Sequence, residues 1–227
     1  MSSEHACLAM RLEGPLQSWG SSSQFNRRLT DLLPTRSAVS GMLCAALGLE
    51  RGSEAESRFL VRCNRLHMLA VALPCRSRER MLAVRRLEDY HTVQNTRKAG
   101  GGLKDCHITK RHYLLDAAFL VFLSGDKGTL DEAASALQDP VWGLWLGRKA
   151  CIPSAPVFVG LYSNEAEAVQ ACLPDTLEHY VNVRDAQSFI EGSDSVPDMP
   201  LSFNSSDRRF ALRRVIKSTD VKRVGQA

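Results

Sequence analysis

The apolar and polar positions along this chain predict an α+β fold. Ala6-Cys7-Leu8-Ala9-Met10-Arg11-Leu12 is a short, nearly unbroken apolar run of strand length, and Gly14 and Pro15 are expected to end it. A polar, serine-rich loop then reaches Pro34, too long for a simple connection and so a candidate for function. After Thr35-Arg36-Ser37, where either hydroxyl can cap a helix, Val39, Met42, Leu43, Ala46 and Leu47 recur at helical spacing, and Gly48 is the expected C-cap. Ser53-Glu54-Ala55-Glu56 is a capping box for a second helix to about Val61. Arg65–Leu73, Met81–His91 and Ile108–Leu114 read as extended, and the polar connection Thr92–Asp105 carries Gly100-Gly101-Gly102. Residues 76–115 are therefore expected to form a long exposed hairpin with a flexible tip. Asp116–Ser124 reads as a buried strand, and Thr129-Leu130-Asp131-Glu132 as a capping box opening a helix that stops before Pro140. Val157–Leu161 is a strand, Asn164 caps a short helix ending near Pro174, and Leu177–Val183 and Phe210–Ile216 are later strands.

The order β-α-(α)-β, hairpin, β-α-β predicts a ferredoxin-like palm with an inserted hairpin and a β-rich C-terminal extension. The whole of 1–227 is read as one domain, with 76–115 the insertion and 140–227 its C-terminal part. The chain has 227 residues, of which 44% are hydrophobic, enough for a sizeable core. No run approaches the roughly 20 apolar residues of a membrane span, and the N-terminus carries no secretory pattern, so a cytoplasmic protein is expected. The seven cysteines are scattered without CxxC spacing, which argues against both a disulfide framework and a zinc site. No cofactor or metal is expected.

Net charge is only +4, but it is unevenly placed: 76–112 carries ten Lys or Arg against four acids, and 207–227 carries seven against two. Such segments are either solvated surface or polyanion-binding. No nucleophile elbow, phosphate-binding loop or HExxH metal motif is present.

Leu12-Glu13-Gly14-Pro15-Leu16-Gln17-Ser18-Trp19-Gly20 and Pro34-Thr35-Arg36-Ser37 are joined by Leu87-Glu88-Asp89-Tyr90-His91-Thr92-Val93, Tyr113–Phe119 and Leu146-Gly147-Arg148-Lys149-Ala150-Cys151. Together these resemble the CasD subunits of type I-E Cascade, the CRISPR surveillance complex, within the RAMP superfamily. Weaker echoes are Arg184-Asp185, Phe203 and Arg208-Arg209-Phe210. The resemblance spans essentially the whole chain. It implies a RAMP palm of the RRM type and a thumb hairpin. It also implies a non-catalytic subunit that binds and caps the 5′ handle of the guide RNA (crRNA). Implied partners are the large and backbone subunits and, indirectly, target DNA near its PAM-proximal end.

Residue chemistry is compatible with that implication. Gln17 and Trp19 offer an amide and an indole, suited either to a splayed base or to plugging the core under the loop. Thr35, Arg36 and Ser37 open a helix whose N-terminus suits a phosphate, with Arg36 adding a bidentate fork; simple capping is the alternative. Arg27 lies in the serine-rich loop. Tyr90 and His91 near the hairpin base, and Arg97, Lys104, Lys110 and Arg111 toward its tip and return strand, can meet bases and phosphates. Arg148 and Lys149 form a turn that can clamp a phosphate or simply face water. The C-terminal cations read as one exposed strand face. A metal-independent ribonuclease would need a general base, a general acid and a cation, for which His91, His112, Tyr90 and Lys110 are the available groups. The resemblance extends to type I-C relatives that cut precursor RNA, whereas type I-E systems leave cutting to another subunit. No spacing here demands catalysis, and a non-enzymatic role is expected.

Overall fold

The computed structural model describes residues 5–20, 26–77, 80–82, 85–98, 100–173 and 180–218. In chain order the elements are β1 (His5–Gln17), β2 (Arg27–Arg28), α1 (Arg36–Ala46), α2 (Glu54–Cys63), β3 (His67–Leu73), β4 (Cys75–Ser77), β5 (Arg80–Leu82) and β6 (Arg85–Arg97). They continue with β7 (Leu103–Asp126), α3 (Lys127–Gln138), β8 (Phe158–Tyr162), α4 (Glu165–Cys172), β9 (Asn182–Asp185), β10 (Asp194–Ser202) and β11 (Arg209–Ser218). Nine strands form one sheet in the order β10-β11-β9-β3-β7-β1-β8, with β2 and β6 added to β7. All of its pairings are antiparallel except the short β2–β7 contact.

The central strands explain their own sequences. Successive side chains of a strand point to opposite faces. In β1, Leu8, Met10 and Leu12 enter the large core under α1, α2 and α3, while Cys7 and Ala9 enter a smaller core with Ala168 of α4 and Tyr180. In β7, Phe119, Val121 and Leu123 join the first core and Leu120 and Phe122 the second. A strand covered on both faces has no polar face to show, hence its unbroken apolar run.

The helices start where their capping chemistry allows. Thr35 accepts from Ala38 N, Ser53 from Glu56 N and Asn164 from Glu167 N, while the Glu56 carboxylate accepts from Gly52 N, one residue before the cap, since Ser53 N donates to Glu50 O. The cap of α3 differs from expectation. Asp126 holds the cap, accepting from the backbone N–H and the hydroxyl of Thr129 and keeping its carboxyl below the usual range, so the helix begins three residues early.

Two strand boundaries also differ. β1 runs on through Gly14 and Pro15. Pro15 is exposed and lacks only a donor, and Gly14 is needed because a Cβ there would lie 2.7 Å from the Ile152 carbonyl oxygen. The hairpin and the buried strand are not separate on the return side: β7 is one strand of 24 residues. Its joint is Asp116, in the left-handed region at φ 48°. There β7 exchanges β6 for β3 along one edge, while β1 pairs along the other from Leu114 to Asp126. The expected strand Leu177–Val183 begins outside the described residues, and its described end is β9. β10, with its two prolines, was not anticipated; edge strands tolerate proline.

Candidate nucleic-acid interface

Four of the expected contact residues, Gln17, Trp19, Thr35 and Arg36, are interior. Trp19 is fully buried, packed edge-on against Phe119 with ring centroids 6.4 Å apart. Its indole N–H donates to Gln17 Oε1, and the Gln17 amide donates to the carbonyls of Leu12 and Ala117. The pair satisfies itself inside the protein, so neither side chain is presented to a base. Arg36 is likewise fully buried. Its guanidinium donates to Asp185 at 2.9 Å and to the carbonyls of Cys63 and Leu66 at 2.5 and 2.6 Å, closing off the α2 C-terminus. No fork remains for a phosphate. The helix N-terminus is also taken: Arg36 N donates to the Asp198 carboxylate at 2.8 Å and Ala38 N to Thr35. An internal carboxylate stands where a phosphate was expected, for the same reason of charge. Thr35 is a buried cap, and Ser37 is half-buried beside a groove.

The expected exposure of the C-terminal cations needs correction at Arg213. It is buried and donates to Asp198 and Asp185, forming with Arg36 a four-residue cluster of two cations and two anions. Burial alone would lower the Arg213 pKa, but the Asp198 and Asp185 carboxylates outweigh it and raise it. Lys222 and Arg223 lie outside the described residues.

The exposed cations assemble elsewhere. β2 lies along β7 with Arg27 beside Lys110 and Arg28 beside Arg111, anchored by Lys110 N donating to Asn26 O. Arg148 reaches the same place, donating to the carbonyls of His112 and Arg28 with its guanidinium 4.7 Å from the Tyr113 ring. Lys149 follows, over the Trp145 ring at 5.9 Å. The turn that carries them depends on Gly147, at φ 97°, where a Cβ would lie 1.8 Å from the Ser18 carbonyl oxygen. Six cations from three distant segments thus gather around the hairpin base, Arg27 and Lys110 on one side of the sheet and Arg28 and Arg111 on the other, where Arg148 covers Tyr113. Arg27, Lys110, Arg111, Arg148 and Lys149 were singled out from sequence; Arg28 was not, although its place beside Arg27 was a signal.

The hairpin itself sorts by face, since cross-strand partners share one. Glu88 opposes His112 and Tyr90 opposes Lys110 on one side; Asp89 opposes Arg111 and His91 opposes Thr109 on the other. Glu88 bridges Lys110 and His112, both at 3.1 Å, and its carboxyl is held below the usual range, first by the Lys110 hydrogen bond. His91 sits 3.5 Å from Asp89. Tyr90 is 62% exposed. Arg97 is exposed seven residues further along β6, roughly 23 Å from the six-cation cluster. Lys104 lies on β7 near the tip, but its side chain is outside the described residues.

Beside the cluster lies a groove of about 860 Å³ between α1, the 141–149 segment and the β10–β11 turn. Ser37, Arg28, Arg148 and Lys149 line it, joined by Arg51, Arg208, Trp142, Trp145, Phe203 and Glu56, none of which sequence reasoning had placed in a site. Among the described residues no group of His, Cys, Asp and Glu could hold a metal ion. No helix there is long and apolar enough to cross a membrane.

Comparison with known proteins gives this arrangement a family. A chain of Escherichia coli (strain K12), the CRISPR system Cascade subunit CasD, is 34% identical over 165 residues, covering 67% of this chain and 70% of that one. A chain of a CRISPR RNA-guided surveillance complex superposes with a TM-score of 0.71 at 26% identity, covering 93% of this chain and 90% of that one. A crystal structure of a Cas protein gives 0.68 at 29% identity, with 97% and 98% covered. Residues 7–216 match the Cas_Cas5d family, described as CRISPR-associated protein (Cas_Cas5). With the match spanning both central strands, the hairpin and the C-terminal strands, the chain belongs to the Cas5 family of CRISPR-associated proteins.

Proposed function

We propose that this protein is a non-catalytic subunit of a type I-E Cascade complex, binding and capping the 5′ handle of the crRNA at the hairpin base. The observation that carries the reading is the gathering of six cations around the hairpin base, with Arg28 and Arg111 on the side where Arg148 lies over Tyr113 and Arg27 and Lys110 on the other, beside a groove that Arg28, Arg148, Lys149 and two half-exposed indoles line. Backbone phosphates need clustered cations and unpaired bases need π-faces. The succession β1-α1-β3 and β7-α3-β8, with spatial order β3-β7-β1-β8, supports a ferredoxin-like RAMP palm. On this reading β6 and the outer part of β7 are the thumb, β9 to β11 the extension, and 1–227 a single domain. Tyr90, His91, Arg97 and Lys104 meet the RNA beyond the six-cation cluster. Gln17, Trp19, Thr35 and Arg36 serve it by packing rather than contact. The large and backbone subunits pack alongside, and target DNA is approached through them. The work is done in the cytoplasm.

Fluorescence anisotropy with crRNA bearing or lacking the handle tests this. Tighter binding of the handle-bearing RNA is expected, weakened about tenfold or more by the pair Arg148→Ala and Lys149→Ala. Equal affinity for both RNAs would sink the handle role.

A second reading, metal-independent cleavage of precursor crRNA, is favoured by one observation: Tyr90, Lys110 and His112 share a face of the hairpin, with Glu88 bridging the last two. Cleavage in chelator by the purified chain, lost in His112→Ala, would establish it. Intact RNA after prolonged incubation is the result expected.

A further inference from the structure

Among the described residues three buried side-chain polar atoms have no hydrogen-bond partner: Arg36 Nε, Glu56 Oε1 and Asn64 Oδ1. Only Glu56 belongs to the groove beside the cation cluster. It is 1% exposed, and its other oxygen, Oε2, accepts from Gly52 N at 2.9 Å. The carboxylate also lies near the Cys44 thiol, which lines the same groove and is pushed up to about 12, mainly by burial and in part by the charges of Cys63 and Glu56. An ionised carboxylate accepts and never donates. Leaving one of its oxygens buried and unpaired is costly, so a built site supplies a donor from outside.

The surroundings narrow what that donor belongs to. Trp142 and Trp145 are 41% and 38% exposed on the groove wall, giving flat apolar faces. Arg51, Arg208 and Lys149 line the same groove and supply positive charge. An occupant with a planar ring, a donor at its inner edge and negative charge behind it satisfies all three features; a bare phosphate does not, because Glu56 would repel it at depth. The volume of about 860 Å³ is ample for a nucleotide.

We propose that this groove holds one unstacked nucleotide of the bound RNA, with Glu56 accepting a hydrogen bond from the exocyclic amine of its base. The inference rests on the RNA-binding reading above and adds base selectivity to it. Cytosine, adenine and guanine each present an exocyclic amine on the Watson–Crick edge, uracil presents none, and glutamate is a known partner for the cytosine amine. Uracil offers one ring N–H flanked by two carbonyl oxygens, which repel a carboxylate. The indoles contribute stacking that any base can use, so selectivity falls to Glu56.

The test compares oligocytidine with oligouridine of equal length, nearly isosteric probes that differ in the amine, on the full chain. Wild type should bind oligocytidine about tenfold more tightly. Glu56→Gln keeps the bond from Gly52 N through its amide oxygen and puts an N–H in place of the unpaired Oε1, so it should abolish or invert the preference with an unchanged thermal melt. Trp142→Ala should weaken both RNAs alike. Equal binding of the two RNAs by wild type, or an unchanged preference in Glu56→Gln, overturns base reading while RNA binding stands. Failure of the wild type to bind either RNA, or crRNA with its handle, overturns the RNA-binding reading as well.

Discussion

Arg36 is a structural hub of the fold and would serve the proposed RNA site without touching its ligand. Its guanidinium joins the α1 start to Asp185 on β9 and to the carbonyls that end α2 and precede β3. Asp185 and Asp198 in turn hold Arg213 of β11, so the charges of three buried groups and the part-buried Asp185 cancel. Removing one partner leaves a buried anion uncompensated. Arg36→Ala should therefore lose about 3 kcal/mol or more of stability in urea titration, while the fraction that remains folded binds RNA normally. A purely electrostatic RNA contact would give the opposite pattern, weakened binding with unchanged stability. The thiols make a second residue-scale prediction. Burial, the largest cause, raises Cys7 to about 11 and Cys44 to about 12, and raises Cys63 as well, whereas Cys106 is exposed on β7. A disulfide reagent at neutral pH should label Cys106 within the native state and leave Cys7, Cys44 and Cys63 until unfolding. Labelling of all of them at one rate would contradict the burial described.

At the scale of elements, β7 is one strand with two lives. From Ala117 to Leu123 both faces are covered, whereas the β6–β7 hairpin alternates between exposed and half-buried positions along β6. Hydrogen exchange should accordingly be slowest at 117–123 and markedly faster at 86–97 and 103–112, the order expected when opening free energy follows buried apolar contact. The turn at Gly147 is the other decisive element. A Cβ there collides with the Ser18 carbonyl and the backbone φ disfavours any side chain. Gly147→Ala should displace Arg148 and Lys149 from Tyr113 and Trp145, weakening RNA binding with a smaller effect on the core.

For the whole molecule, charge placement matters more than its sum. If six cations meet phosphates, log affinity should fall with log salt, and each cation replaced by alanine should flatten the slope by roughly 0.7 on single-stranded RNA. Substitutions at Arg28 and Arg148, which line the same groove, should do this equally although they lie far apart in sequence; an unchanged slope would remove that residue from the interface. The alternation and capping signals made the β-α-β core, the hairpin and four helices legible in advance, because these depend on neighbours three or four residues away. The motifs placed the chain in its family for the same local reason. What could not be read was where long-range partners stand. Arg36 and Arg213 looked like surface cations because nothing local reveals that Asp185 and Asp198 wait for them in the core. For Trp19 and Gln17 the sequence left base binding and core plugging both open, and the structure shows the second, because nothing local reveals that they bond to each other. Glu56 looked like a capping residue only, since the groove above it is built from α1, the 141–149 segment and the β10–β11 turn. Sequence alone determined most of the strands, the four helices and the basic segments, all products of local periodicity and charge, and missed β10, whose two prolines break that pattern. Tertiary structure alone decided which charges are neutralised inside and which converge outside, because burial and pairing are properties of segments brought together from across the chain.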